Sequence, residues 1–247
     1  MDLIPQLRRA ILAQSLPPPS QTLLTTLTSR SPPPPIPSLL ATAKARLLAS
    51  DLTNTSGTVV DPSMPSFPPN IDSATVQEST IPQNTHVQVL DIENLSLSRW
   101  EQVEELEAIE RGERTRGRQV IRVTDEENGE ADMSSSSAGQ TQASRGGAGG
   151  NAASGGANAV HRLVLQDGRG KKVFAVELKR ISGIGIGKTH IGEKILLRAG
   201  AVVARGTVLL TPETCTLLGG KIDAWHEAWM EGRLARLRES VGADRPQ

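Results

Sequence analysis

The run Ser182-Gly183-Ile184-Gly185-Ile186-Gly187-Lys188-Thr189 holds the residue types of a phosphate cradle: glycines that expose backbone amides, then a lysine and a hydroxyl. A phosphate loop, G-x-x-x-x-G-K-[ST], needs its first glycine at position 182, where Ser182 stands, and Gly183 comes one place late. A helix-hairpin-helix turn would need a helix before the glycines, but "KVFAVEL" at 172–178 alternates as a strand does. The run therefore reads as a glycine-bearing connection. Four histidines and the single cysteine, Cys215, offer no metal-spaced set, and no carboxylate pair or activated nucleophile can be assembled. Cys215 reads as a packed small side chain. We expect no enzyme, no cofactor and no metal. Arg114, Arg116, Arg118 and Arg122 crowd around "RGRQVIRV", either as a solvated face or as a contact for phosphate or an acidic partner. Twenty-seven Lys+Arg balance twenty-seven Asp+Glu, whereas a nucleic-acid binder working by charge alone is strongly basic.

The elements that must position these residues are concentrated after residue 84. In "HRLVLQDGRGKKVFAVEL", Leu163 and Leu165 alternate with polar residues, and the alternation resumes at Val173 after Asp167-Gly168-Arg169-Gly170. This predicts a hairpin, since Asp bonds its own backbone and Gly takes positive φ freely. An earlier strand is expected over Val87 to Ile92. Later ones are expected over Lys194 to Ala204, bent at Gly200, and over Val208 to Leu218 as a broken fifth. Residues 99–111 predict a short helix with Trp100, Val103 and Leu106 on one side, capped by Ser98 with Glu101 three residues on. Residues 120–123 suggest a further short strand. Ile222 to Val241 predicts one helix with Trp225 and Trp229 in its apolar stripe, packed either on the barrel end or on a partner.

Upstream, residues 3–16 and 38–52 carry helical spacing, through Leu3, Leu7, Ile11 and Leu12 and through Leu39, Leu40, Ala43, Leu47 and Leu48. "QTLLTTLT" between them is ambiguous. These helices form either a small cap or a docking unit. Residues 53–84, with five prolines and no period, read as a linker. Residues 124–159 are acidic, then serine- and glycine-rich, and lie between two strands of one sheet. Loops longer than about 15 residues inside a domain are functional or disordered. No run reaches the roughly 18 apolar residues of a membrane span, and no secretory leader is expected.

Five short strands with a glycine bend are the pattern of an oligonucleotide/oligosaccharide-binding (OB) barrel. The expected architecture is mainly β: a five-stranded OB-fold barrel at 85–218 with a long insert, 93–160, between its first two strands. A small N-terminal helical region covers 1–52, a Pro-rich linker 53–84 and a C-terminal helix 219–242. Single-strand binding by such barrels uses aromatic platforms. The strands offer only Phe174, which lowers the nucleic-acid reading and raises protein interaction.

The segments "RLVLQDGRGKKVFAVELKRI" and "IGEKILLRAGAVVARGTVLLTPETCTLLGGKIDAWHEAW" resemble the N-terminal region of the RecQ-mediated genome instability protein 1 family. Leu165 to Gly168, Gly206 to Pro212 and Leu217 to Asp223 carry most of the likeness, which covers 85–238 and more weakly 3–52. The resemblance implies a nuclear, non-catalytic scaffold joining topoisomerase III, a type IA enzyme, to a RecQ helicase. It implies a barrel with only weak or indirect DNA contact and no membrane partner. It also implies an insert that reaches into the topoisomerase gate and favours decatenation and Holliday-junction dissolution. Partner-binding residues are then expected at Trp100, Leu106, Arg116 and Arg118 of the insert and at Lys179, Arg180 and Lys194 of the barrel. A plain single-strand-binding barrel is the alternative. The insert's centre has fewer apolar anchors than a tight gate contact suggests, and with the sequence ending at Gln247 no second, C-terminal barrel is expected.

Overall fold

The computed structural model describes residues 3–29, 32, 34–53, 57–112 and 159–243; the short strand expected at 120–123 lies outside them. Three helices open the chain: α1 (Leu3–Ala13), α2 (Gln21–Thr28) and α3 (Ile36–Ala49). Leu7, Ile11, Leu23, Leu24, Leu27, Leu39, Ala43 and Leu47 form their shared core. Leu12, expected on the buried face, is exposed, because five residues past Leu7 carry it roughly 140° around the helix. The ambiguous "QTLLTTLT" is helix α2. Ser20 caps it by accepting from the Leu23 amide at 3.0 Å, and the hydroxyls of Thr25, Thr26 and Thr28 turn back onto carbonyls four residues earlier.

The segment read as a linker is packed instead. Val60 and Met64 enter the helical core, while Phe67, Ile71 and Ile81 enter the sheet core. No period betrayed this, because irregular backbone buries side chains without one. Residues 78–80 even form a strand, β1 (Glu78–Thr80), at the sheet edge.

The sheet continues through β2 (Thr85–Asn94), β3 (His161–Asp167), β4 (Lys172–Glu177), β5 (Lys194–Leu197), β6 (Val202–Ala204), β7 (Thr207–Leu210) and β8 (Cys215–Gly219). Its order is β1-β6-β7-β4-β3-β2-β5-β8. The five steps from β6 to β5 would span about 24 Å in a flat sheet. The chain from Leu197 to Val202 reaches only about 18 Å when extended. The sheet must therefore curl into a half-barrel, and Gly200, at φ +88°, makes the bend. Counted along the chain, β5–β6 is one bent strand and β7–β8 one interrupted strand, so β2 to β8 hold the five strands expected of an OB barrel. The halves of the interrupted strand part company: β7 runs parallel to β4, and β8 pairs with β5 on the other side.

The β3–β4 hairpin turns as its residues require. Asp167 is fully buried, and its carboxylate accepts from the amides of Arg169 and Lys171 at 3.0 and 2.8 Å and from the distant Phe67 amide at 2.8 Å. One side chain thus shapes the turn and pins the preceding irregular segment.

The helical unit is seated on the sheet through buried polar contacts. His86 Nε2 lies 2.9 Å from the Ser15 carbonyl. Gln88 accepts from the Leu52 amide at 3.0 Å and donates to Asp51 at 2.7 Å. Gly220 approaches the Leu48 carbonyl so closely that a Cβ would stand 2.5 Å from it.

The single C-terminal helix of expectation is two, α5 (Asp223–Glu231) and α6 (Arg233–Ala243), separated at Gly232. Trp229 is buried against the sheet core with Trp225 half-buried beside it, so the groove for the tryptophans is on the barrel. Among the described residues, no helix is long and apolar enough to cross a membrane.

Candidate partner interface

The insert leaves the sheet after Asn94 and returns at His161, and these two residues face each other across the β2–β3 ladder. Beyond the ladder the chain ends stay together. The Leu95 amide donates to the Val160 carbonyl and the Val160 amide to Ser96 Oγ, both at 2.9 Å.

Below this root lies a buried charged cluster. Glu177 accepts from the His161 amide at 3.1 Å, from the Ile181 amide at 3.0 Å and from Arg180 Nη1 at 2.9 Å, and His161 Nδ1 stands 2.8 Å away. Burial alone would raise the Glu177 carboxyl. The hydrogen bonds from His161 and Ile181 and the charge of Arg180 outweigh it and hold the group below its ordinary value. Arg180 also donates to the Ala159 carbonyl at 3.3 Å, gripping the returning end of the insert.

The departing end is held by a helix, α4 (Arg99–Glu110). The capping box read from the sequence is present: Ser98 accepts from the Glu101 amide and the Glu101 carboxylate from the Ser98 amide. Buried Gln102 donates to the carbonyls of Asn94 and Leu97, each at 3.1 Å, tying the helix to the end of β2. Val103 is buried, and Glu107 receives both Nε and Nη2 of Arg238, from α6, at 3.0 and 2.8 Å. Both donors meet the same carboxylate oxygen, Oε1, and tie α4 to α6. On this braced helix Trp100 is 52% exposed, an unusual state for an indole. Leu106 is half-buried.

The other expected residues stand as follows. Arg116 and Arg118 lie outside the described residues. Lys179 is exposed and pairs with Glu213 at 3.0 Å, and Arg180, itself exposed, pairs with the buried Glu177 at 2.9 Å. Lys194 is a correction: it is fully buried, donating to the carbonyls of Leu48 and Gly192, and does not reach a partner. It is buried because β5 is covered on both faces.

Sequence reading passed over Leu95 and Val160, exposed apolar side chains at the insert's root. It also passed over the strip Arg99–Glu93–Arg162, in which Glu93 pairs with both arginines and Arg162 lies 5.0 Å over the exposed Phe174 ring. Strand period alone places Arg162 and Phe174 on the outer face, so that signal was available. The glycine-rich run connects β4 to β5, with Lys188 Nζ 3.4 Å from the Ser182 carbonyl. No group of three metal-ligating side chains occurs among the described residues.

Comparison with known proteins agrees with the fold. Residues 67–233 match the family model described as RMI1, N-terminal OB-fold domain, and residues 11–55 match RMI1, N-terminal helical domain. Over 150 residues the chain is 29% identical to RecQ-mediated genome instability protein 1 of Schizosaccharomyces pombe. That match covers 60% of this chain, and the chain spans about 60% of the length of this curated relative.

Proposed function

Because the chain belongs to the family of RMI1 N-terminal domains, we propose that it is a nuclear accessory subunit of genome maintenance that binds other enzymes and performs no chemistry itself. Its partners in this reading are a type IA topoisomerase of the topoisomerase III kind, whose decatenation and double Holliday junction dissolution it stimulates, and a RecQ helicase. The observation that supports it most is Trp100, held out to solvent on a helix braced at Gln102 and Glu107, where a long insert leaves the barrel. A rigid exposed aromatic loses little entropy when a partner covers it and is the usual anchor of an interface. Leu106, Lys179, Arg180, Arg116 and Arg118 complete the proposed contact set, with the charges steering more than tightening.

The test is titration of the chain against its cognate topoisomerase, paired with decatenation. Trp100→Ala should weaken binding by about 2 kcal/mol or more, the level of an interface hot spot. Deleting residues 134–158 should leave binding nearly intact and depress decatenation, since the root is already closed by Leu95 and Val160 and a shorter closure costs no more. Unchanged affinity in Trp100→Ala, or abolished affinity in the deletion, would overturn this division of labour.

A second reading, weak single-strand contact, is favoured by Arg162 over Phe174 on the outer face of β3 and β4. In OB barrels the outer face of the second and third strands is where oligonucleotides lie. Such binding should fall steeply with salt, and binding that persists at about 0.15 M salt and collapses on Phe174→Ala would promote this reading to the first.

A further inference from the structure

Where the helical unit, the outer face of the sheet and α5–α6 meet, the surface opens into a cleft of about 510 Å³, within the usual range of roughly 300–1,000 Å³ for a ligand site. Leu90, Ile191 and Ala228, with the indoles of Trp225 and Trp229, make it largely apolar. Its polar groups are unevenly committed. Asp51 is taken up by the Thr53 amide and hydroxyl and by Gln88, at 2.7–2.8 Å. Arg236 spends one nitrogen on the Trp229 carbonyl at 2.7 Å. Lys172 and the Trp225 indole N–H have no hydrogen-bond or ion-pair partner among the described residues. The sheet register fixes Lys172 there, in a row Gln88–Gln166–Lys172 across β2, β3 and β4.

We infer that this cleft is a binding site for a short acidic peptide segment of a partner protein, one that sets an aromatic or aliphatic side chain against the two tryptophans and an adjacent carboxylate between Lys172 and Trp225. The two uncommitted groups are both donors, so the complementary group is an acceptor, and a charged one gains most from an ammonium beside an apolar wall. Arg236 adds positive charge at the same cleft. A nucleic-acid strand fits poorly: it brings a phosphate with every nucleotide, while the cleft has only two cations, Lys172 and Arg236, enough for one or two carboxylates beside an apolar anchor. The site involves neither Trp100 nor the insert, so it stands or falls independently of the topoisomerase interface.

The experiment is a random-peptide display selection against the full chain, followed by titration of the recovered peptides while watching the three tryptophan indole N–H resonances. The expected peptides carry Asp or Glu beside Phe, Trp or Leu, move the Trp225 resonance and leave that of Trp100 in place. Lys172→Glu, at an exposed position where folding is not at stake, should weaken them at least about tenfold, equivalent to about 1.4 kcal/mol. Trp225→Phe, which keeps a ring and removes the N–H, should weaken them severalfold. Recovery of no peptide, or of peptides without acidic residues, would overturn the inference. So would an unmoved Trp225 resonance, affinity indifferent to Lys172→Glu, or an equal response to oligo-thymidine.

Discussion

The indole N–H of Trp229 donates to Asp91 Oδ1 at 2.6 Å, joining the C-terminal helix to the first long strand across 138 positions of sequence. The ring is buried against the sheet core and flanked by Arg233 and Arg236 at 5.6 and 5.8 Å. Trp229→Phe keeps most of the packing and loses a hydrogen bond to a carboxylate, so it should cost about 1.5–3 kcal/mol. Trp229→Ala, which also empties the site, should cost about 3–5 kcal/mol. Urea midpoints measure both: an unchanged Trp229→Phe would show that the hydrogen bond contributes nothing, and equal losses that the ring's packing does not.

Lys194 carries a pH signature. Burial, opposed by the charges of Asp51 and Glu193, pushes its ammonium down from 10.5 to about 8. The folded chain releases this proton near pH 8 and the unfolded chain near 10.5, so in that window the unfolded state holds more protons and stability rises with pH. Lys194→Met should abolish that rise. At neutral pH it leaves the Leu48 and Gly192 carbonyls without their donor and should cost about 1–3 kcal/mol.

Trp100 and Leu106 should separate under single substitution. Trp100 is exposed, so Trp100→Ala should change the melting temperature little, within about 0.5 kcal/mol of stability. Half-buried Leu106 lies on a helix packed against α6, so Leu106→Ala should lower it measurably. If Trp100→Ala destabilised the chain as much, the indole would be a brace of α4 and not a free anchor.

Cys215 should resist alkylation in the folded chain. Burial, then the charges of Glu177 and Glu193, pushes its thiol up to about 12 from 9.0. The folded state therefore keeps the proton longer, and this contribution to stability is whole below pH 9 and lost as pH climbs towards 12. Thiol titration with and without denaturant checks it; fast labelling of the native chain at neutral pH would contradict it.

What could be read beforehand was local. Asp167 and its glycines announced the turn, and Ser98 and Glu101 announced the start of α4, because both depend on contacts within a few residues. The pairing of Arg180 with Glu177, three residues earlier, was legible in the same way. Lys194 and the segment holding Val60, Phe67 and Ile71 were beyond such reading. Their burial is imposed by residues far along the chain, Leu48 over Lys194 and the Asp167 carboxylate on the Phe67 amide. The candidate site was half legible: the helix of Trp100 and its cap could be read, but the spacing put the indole on the side of buried Val103 and not in solvent, and the cleft beside Trp225 needs three units brought together.

The pairing of Asn94 with His161 holds β2 to β3 through the ladder as well as through the chain. Cut anywhere between Gly112 and Ala159, the molecule becomes two fragments. One carries β2, a strand that fits between β3 and β5 of the other, while its β1 extends the second fragment's β6. Neither has a complete barrel alone, and together they share every ladder of the intact protein. Such a pair should reassemble by strand complementation, so protease nicking of the insert would leave a particle that still migrates as one body.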